Sequence, residues 1–182
     1  MLASLVCWNC EHKINPGAFL CEKCKKIQPP QDIDEFQLFG INREFDLDLE
    51  KLEKSYLRLQ QLFHPDKYIK LSEKEIKYST HLSSMINEAY QKLNNSISRA
   101  TLLLNLFGFT LPSEDISYND SEVLEEVMEI QNKFFDAENS ESKNVILENL
   151  KSRINKTTND ISKSFKSKNY EVAHKLNIKL SY

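Results

Sequence analysis

Hydrophobic residues recur every three or four positions along most of the chain. The pattern is clearest on either side of residue 65, where it comprises Leu52, Tyr56, Leu59 and Phe63 on one stretch and Leu82, Ile86, Ala89, Tyr90 and Leu93 on the other. This spacing places side chains on one face of an α-helix. Strand-like alternation of apolar and polar residues is absent. The pattern therefore predicts an all-α protein.

The two amphipathic stretches are separated by a helix-breaking turn. Pro65 cannot continue the helix that ends at Phe63, because its ring lacks an N–H and clashes with the preceding turn. Ser72, followed three residues later by Glu75, has the spacing of a capping box and predicts the start of the second helix. The chain must therefore turn between them, which predicts a helical hairpin whose loop exposes His64, Asp66 and Lys67.

Three further helical stretches are predicted near the C-terminus, at residues 121–138, 142–165 and 169–182. Their short connections favour an antiparallel three-helix bundle. The first stretch has two apolar stripes, one with Val123, Val127, Ile130 and Phe134, the other with Leu124, Met128 and Phe135. The first stripe suffices as a bundle core, so the second is a candidate protein-binding patch with an acidic rim.

The four cysteines of the chain form two C-x-x-C pairs, Cys7 with Cys10 and Cys21 with Cys24. Two such turns facing each other can supply the tetrahedral sulfur ligands that Zn²⁺ prefers, and a closed Cys₄ site is structural rather than catalytic. Two disulfides, a redox dithiol and an iron–sulfur cluster remain alternatives. We interpret the nearby His12 as a surface residue.

These features predict three domains, with boundaries near the Pro29-Pro30 pair and the Leu111-Pro112 pair. They are a tetracysteine metal-binding module at 1–30, a hairpin domain at 31–110 and a three-helix bundle at 111–182. We find no internal repeat. The net charge of −3 argues against generic binding to nucleic acid, which requires a basic field. The apolar runs are too short to span a bilayer.

The helix, H-P-D loop and antiparallel helix resemble a J domain, the module that triggers ATP hydrolysis in Hsp70 chaperones. A wider set of motifs resembles the HscB-type J-protein co-chaperones of iron–sulfur cluster biogenesis, in the animal-like form with an N-terminal zinc module. The matching stretches are Cys7-Trp8-Asn9-Cys10, Phe63-His64-Pro65-Asp66, Ile86-Asn87-Glu88-Ala89-Tyr90, Ser98-Arg99-Ala100 and Leu124-Glu125-Glu126-Val127-Met128-Glu129-Ile130.

The resemblance implies a non-enzymatic co-chaperone that binds the iron–sulfur cluster scaffold protein, delivers it to an Hsp70 and stimulates the Hsp70 ATPase. The expected Hsp70-binding residues are His64, Pro65, Asp66, Lys67, Arg58 and Lys54. The expected scaffold-binding residues are Leu124, Met128, Glu129 and Tyr182. The expected cofactor is a structural Zn²⁺ held by Cys7, Cys10, Cys21 and Cys24.

The resemblance also implies a mitochondrial location, although no presequence is visible and a cytoplasmic location is the alternative. Self-association into a homodimer stays open. Glu125 stands where some members have an apolar residue, and the chain stops at Tyr182 where the family's last helix normally continues. Two other functions compete: a general J-protein that delivers misfolded clients, and a zinc-ribbon protein that binds nucleic acid. An enzyme is disfavoured, because His64 and Asp66 have no accompanying nucleophile or orienting group.

Overall fold

The structure is a computed structural model that describes residues 5–109 and 121–181, without the side chains of residues 121 and 122. It contains two compact units. The first comprises the N-terminal residues up to Arg43 together with Leu47–Asn95, and the second comprises Glu44–Asp46 and the chain from Ser96 onward. The prediction of three domains with boundaries at residues 30 and 110 stays a prediction.

The first unit contains the predicted hairpin. Its helical elements are α1 at Glu35–Phe39, α2 at Leu49–Phe63, a 3₁₀ turn at Pro65–Lys67 and α3 at Glu73–Asn94. Asp34 caps the start of α1, and Gly40 ends it in a left-handed conformation with φ of 64°. The predicted capping box of Ser72 and Glu75 opens α3.

The apolar faces of α2 and α3 meet in a shared core. Phe36 from α1, Leu52 from α2, and Leu82, Ile86 and Leu93 from α3 are all fully buried. Burial of side chains of this size stabilises a fold by roughly 1.5–3 kcal/mol each. The periodicity of the sequence therefore identified the contact faces of the hairpin correctly.

Tyr56 and Tyr90 lie on the predicted apolar faces of the hairpin, where we expect core residues, but they are not part of its buried core. Both are half-buried, and their rings stack at the surface with centroids 4.1 Å apart. The Tyr56 hydroxyl donates a hydrogen bond to Asn87 Oδ1 over 3.0 Å. A tyrosine needs a partner for its hydroxyl, and the edge of the hairpin supplies one without burying it.

The second unit contains α4 at Ser96–Leu106, α5 at Ser121–Asp136, α6 at Ser140–Lys166 and α7 at Tyr170–Ser181. Helices α5, α6 and α7 are the predicted three-helix bundle, and α4 packs against α7. The deepest part of this unit lies at α4, α6 and α7, where Ala100, Leu103, Leu104, Ile161 and Ala173 are fully buried.

A short segment that precedes α2 in the chain belongs to this second unit. Phe45 is buried, and its ring stacks on Phe165 with centroids 5.3 Å apart. The Arg99 guanidinium lies 5.0 Å above the Phe45 ring, and Arg99 Nε donates to the Phe45 carbonyl over 2.7 Å. Burial lowers the pKa of Arg99 from its usual value, opposed by the nearby charge of Asp46.

None of the helices in the described part of the chain is long and apolar enough to cross a membrane.

Candidate functional site

The H-P-D loop exposes its side chains from a turn that backbone hydrogen bonds close. The side chains of His64 and Asp66 are 52% and 77% exposed. The Lys67 N–H donates to the His64 carbonyl over 3.0 Å, and the Tyr68 N–H donates to the Pro65 carbonyl over 2.8 Å. The backbone is therefore held while the imidazole and the carboxylate stay accessible to a partner.

His64 also contacts Asp66 directly. The Asp66 N–H donates to His64 Nδ1 over 3.3 Å, and Nδ1 lies 3.5 Å from Asp66 Oδ2. When the imidazole is neutral and Nδ1 accepts this hydrogen bond, the proton lies on Nε2. The loop thus offers an N–H donor and a carboxylate acceptor side by side.

Basic side chains accompany the loop along α2. Lys54 and Arg58 lie one turn apart on that helix, and both are exposed. Lys67 is exposed within the 3₁₀ turn itself. These positive charges are therefore accessible to solvent, and their role as Hsp70-binding residues stays a prediction.

The structure brings all four cysteines together. Their Sγ atoms lie within 4.8 Å of one another, with Cys7 and Cys24 separated by 3.6 Å and Cys10 and Cys21 by 3.7 Å. A tetrahedral ion with metal–sulfur bonds of about 2.3 Å requires sulfur atoms about 3.8 Å apart. The four thiols therefore fit a single metal ion.

Each C-x-x-C pair sits at the tip of a small antiparallel hairpin. The bridges that close the two hairpins join Val6 to Lys13 and Leu20 to Ile27. The Cys7 N–H donates to the His12 carbonyl over 2.8 Å, and the Cys21 N–H donates to the Lys26 carbonyl over 3.0 Å. The second hairpin thus repeats the backbone pattern of the first.

The close spacing of the four thiols has opposite effects on the pKa values of Cys7 and Cys10. Burial acts to raise the pKa of Cys7, but the backbone N–H groups of Asn9 and Cys10 outweigh it and lower that pKa to about 6. The backbone N–H of His12 acts to lower the pKa of Cys10. Burial and the thiols of Cys24, Cys21 and Cys7 oppose this effect and raise the pKa to about 12. A bound cation removes this repulsion and favours four thiolates.

Gln28 is a residue of this site that sequence reasoning missed. Its side chain is buried, and its Nε2 donates to Cys7 Sγ over 3.3 Å and to the Lys26 carbonyl over 2.8 Å. An amide donor to a sulfur ligand favours the thiolate form and holds it in place. A lone glutamine four residues after a cysteine has no sequence signature of this role.

Helix α5 presents the second apolar stripe to solvent. Leu124 is 40% exposed and Met128 is 61% exposed, whereas Val123 on the other stripe is buried. Glu125 and Glu129 are exposed beside them, and Glu129 lies 3.3 Å from Lys133. Tyr182, the fourth expected scaffold contact, lies outside the described residues.

Known proteins resemble the chain over most of its length. An iron–sulfur cluster co-chaperone, the mouse protein HscB, is 33% identical over 180 residues, which are 97% of this chain and 77% of the mouse protein. The chain belongs to the HscB family. The HscB homologue of Arabidopsis thaliana is 32% identical and spans 97% of this chain and 69% of its own length.

The HscB fold extends over both units. The crystal structure of the human HscB co-chaperone matches with a TM-score of 0.88 at 33% identity, covering 98% of this chain and 92% of that one. The HscB chaperone from Vibrio cholerae matches with a TM-score of 0.74 at 25% identity, covering 82% and 90%. Residues 119–182 match the HscB C-terminal oligomerisation domain. The predicted family and fold are thereby confirmed.

HscB relatives are named as co-chaperones and not as enzymes. The names of the relatives thus support the expected non-enzymatic co-chaperone role at the family level. The roles expected for individual side chains stay predictions.

Proposed function

We propose that this protein couples an Hsp70 ATPase to the iron–sulfur cluster scaffold protein. The H-P-D loop stimulates ATP hydrolysis by the Hsp70, and the C-terminal bundle holds the scaffold. The observation that carries the proposal is the exposed His64–Asp66 pair, which lies in a hydrogen-bonded turn between two packed helices. The relatives named iron–sulfur cluster co-chaperones supply the pathway.

The Hsp70 contact combines charge attraction with a specific polar pair. Lys54, Arg58 and Lys67 attract an acidic surface on the ATPase domain and raise the association rate. His64 and Asp66 then contact the polar groups that restrain hydrolysis, with Pro65 holding the loop in shape. Because the side chains already project from an ordered turn, little conformational entropy is lost on docking.

The scaffold contact lies on α5. Leu124 and Met128 supply an exposed apolar centre, and Glu129 supplies part of an acidic rim, which is the usual anatomy of a protein interface. Tyr182 completes the patch by resemblance to the family. A scaffold bound to the bundle is delivered with its co-chaperone, so transfer to the Hsp70 becomes effectively intramolecular.

The cysteine cluster holds a structural Zn²⁺ in this proposal. The donors are four thiols at the tips of two small hairpins, which we call the cysteine knuckles. Their spacing suits a single, tetrahedrally coordinated metal ion. An iron–sulfur cluster distributes its thiolates over separate irons and would need a wider cage. All four positions are filled by protein, so the ion has no open site for chemistry.

The proposed compartment is the mitochondrion, by resemblance to the family, with the cytoplasm as the alternative. A homodimer is compatible with the description of the matched C-terminal domain.

The decisive experiment replaces Asp66 with Asn and measures single-turnover ATP hydrolysis by the partner Hsp70. We expect the variant to keep its circular dichroism spectrum and its scaffold affinity, because Asp66 is exposed and distant in sequence from α5. Stimulation should fall to the basal rate, since the amide cannot replace the carboxylate charge. Full stimulation by the Asn variant would refute the proposed mechanism.

A further inference from the structure

The tetracysteine module contacts the H-P-D hairpin on the entry side of the loop. Phe19, from the hairpin that presents Cys21, packs edge to face against Phe63, with ring centroids 5.9 Å apart and planes at 82°. Both side chains are buried. Phe63 is the last residue of α2 and directly precedes His64. The module thus packs against the residue that directly precedes the loop.

The same module contacts the exit side of the loop through a charged pair. Lys26 Nζ donates to both carboxylate oxygens of Glu75, over 3.0 and 2.9 Å. The Glu75 side chain is only 3% exposed. It also accepts hydrogen bonds from the Ser72 hydroxyl over 2.8 Å and the Ser72 N–H over 3.3 Å. Lys26 therefore satisfies the buried carboxylate that organises the first turn of α3.

Tyr68 links this carboxylate back to the loop. It directly follows the 3₁₀ turn, is buried, and donates its hydroxyl to the Leu62 carbonyl over 3.2 Å. Burial and the neighbouring charge of Glu75 raise the pKa of Tyr68. The two ends of the loop, at Leu62 and Tyr68, are thus joined beside the side chain that Lys26 holds.

The position of Lys26 depends on the cysteine cluster. The Lys26 carbonyl accepts hydrogen bonds from the Cys21 N–H, over 3.0 Å, and from Gln28 Nε2, over 2.8 Å. The residue lies two positions after Cys24. The backbone that presents its ammonium group is therefore part of the turn that two of the cysteines close around an ion.

We propose that the tetracysteine module is a positioning element for the H-P-D loop, in which Phe19 and Lys26 fix the two ends of the loop. This inference rests on the proposed function of the loop in ATPase stimulation. Neither residue touches the Hsp70. They hold the loop in one arrangement before docking, so that no binding energy is spent on ordering it.

The test compares Lys26→Met with a matched control, Lys23→Met, in the full-length metal-loaded chain. Lys23 is an exposed lysine of the same module, and among the described residues it makes no hydrogen bond or ion pair with α2 or α3. A third variant, Lys26→Arg, restores a cation able to pair with both oxygens of Glu75. Bound metal is quantified in each variant, which establishes that the module has folded.

The first readout is amide hydrogen exchange of the loop. We expect Lys26→Met to accelerate exchange at Lys67, Tyr68 and Leu71 by about tenfold, because their hydrogen bonds lose a support against local opening. Lys23→Met should leave the exchange rates unchanged, and Lys26→Arg should restore most of the protection. Unchanged loop exchange in Lys26→Met, with metal retained, would overturn the proposal.

The second readout is the concentration dependence of ATPase stimulation. In Lys26→Met, the maximal stimulation should fall several-fold while the half-saturating concentration changes little, since the basic side chains on α2 are intact. An equal loss in Lys23→Met would overturn the positioning role. The exchange measurement needs no Hsp70. Full ATPase stimulation by Asp66→Asn would refute the proposed function of the loop, whereas unchanged loop exchange in Lys26→Met would refute this inference, so the two failures are distinguishable.

Discussion

At the residue scale, Glu75 concentrates several interactions in one buried carboxylate. It receives the Lys26 ammonium and both the hydroxyl and the N–H of Ser72. Burial acts to raise the pKa of Glu75, but these donors outweigh it and hold the pKa below its usual value. The carboxylate is thus more acidic in the folded chain than in the unfolded one.

This shift predicts a pH-dependent stability. Because the folded pKa is depressed, the stabilisation is complete above the unfolded pKa, about 4.3 for a glutamate. It is lost as the pH falls through the lower folded value. Glu75→Gln should reduce the free energy of unfolding by about 1.5–3 kcal/mol at pH 7, the usual worth of hydrogen bonds to a charged group. Urea unfolding at pH 7, 5, 4 and 3.5 measures the difference.

The cysteine thiolates also take up protons in acid, in the wild type and in Glu75→Gln alike. The difference in unfolding free energy between the two proteins at each pH therefore reports the contribution of Glu75. The difference should be constant from pH 7 to 5 and shrink below about pH 4.5. Glu73→Gln removes an exposed carboxylate from the same first turn and should show a small difference. A Glu75→Gln difference that persists unchanged at pH 3.5 would contradict the assignment.

Sequence reasoning found the residues whose chemistry is local. The H-P-D triplet and the cysteine pairs act at fixed short spacings, so their positions could be predicted. Lys26 and Glu75 are 49 residues apart, and no periodicity connects them. Their pairing follows from how two elements pack, which the order of residues does not express.

At the element scale, the two cysteine knuckles have the same backbone hydrogen-bond pattern. An offset of 14 residues, from Cys7 to Cys21, maps the hydrogen bonds of one hairpin onto the other. Glu11 and Lys25 occupy equivalent left-handed positions, with φ of 58° and 60°. This repeat is not visible in the sequence, because the shared feature is backbone geometry and only the cysteines recur as residue types.

Left-handed residues other than glycine cost free energy, and the knuckles bury few apolar side chains. We therefore predict that the metal ion supplies most of their stability, roughly 10 kcal/mol or more for a structural Zn²⁺ at neutral pH. Cys21→Ser should abolish stoichiometric metal binding and expose the amides of residues 5–28 to rapid exchange. Elemental analysis and hydrogen exchange measure the two effects.

The helices should survive this change. Helices α2 and α3 share their own core through Leu52, Leu82 and Ile86, and the second unit has a separate core around Ile161. The far-UV circular dichroism of Cys21→Ser should therefore retain most of its helical signal. Ser164→Ala, a matched change at a buried serine of the second unit, should leave metal content at the wild-type value. Full metal binding by Cys21→Ser would refute the cage.

The helices themselves were largely predictable, since apolar spacing and capping residues mark their ends. The partner of α4 was not. Its contact with α7 includes a buried polar link, in which Asn177 Nδ2 donates to Thr101 Oγ1 over 3.0 Å and to the Ile97 carbonyl over 3.3 Å. An asparagine within a helix gives no indication of which neighbour satisfies it, so α4 could not be assigned to the second unit.

At the scale of the whole molecule, opposite charges are segregated along the chain. The overall charge is only −3. The stretch 51–70 contains five basic residues, Lys51, Lys54, Arg58, Lys67 and Lys70, whereas Glu125, Glu126 and Glu129 follow one another on α5. Such segregation suits two partners of different surface charge, each recruited by its own part of the chain.

This arrangement predicts that Hsp70 association and scaffold binding can be weakened independently of each other. The double change Lys54→Glu, Arg58→Glu should slow association with the Hsp70 by about tenfold at low ionic strength, because it reverses the steering charge. Its scaffold affinity should stay at the wild-type value. The double change Leu124→Ala, Met128→Ala should weaken scaffold binding by about 10- to 100-fold through lost apolar contact, while scaffold-free ATPase stimulation is retained.

Matched controls separate local from general effects. Lys77→Glu with Lys156→Glu alters the net charge equally at two exposed positions on other helices, α3 and α6, and Val145→Ala with Val172→Ala truncates two exposed apolar side chains outside the patch. Stopped-flow association and titration calorimetry supply the measurements. The two binding functions would not be separate if either test pair weakened Hsp70 association and scaffold binding equally. The same conclusion would follow if the charge control slowed Hsp70 association as much as Lys54→Glu, Arg58→Glu. Because each pair alters only exposed side chains, a selective loss can be attributed to the contact itself.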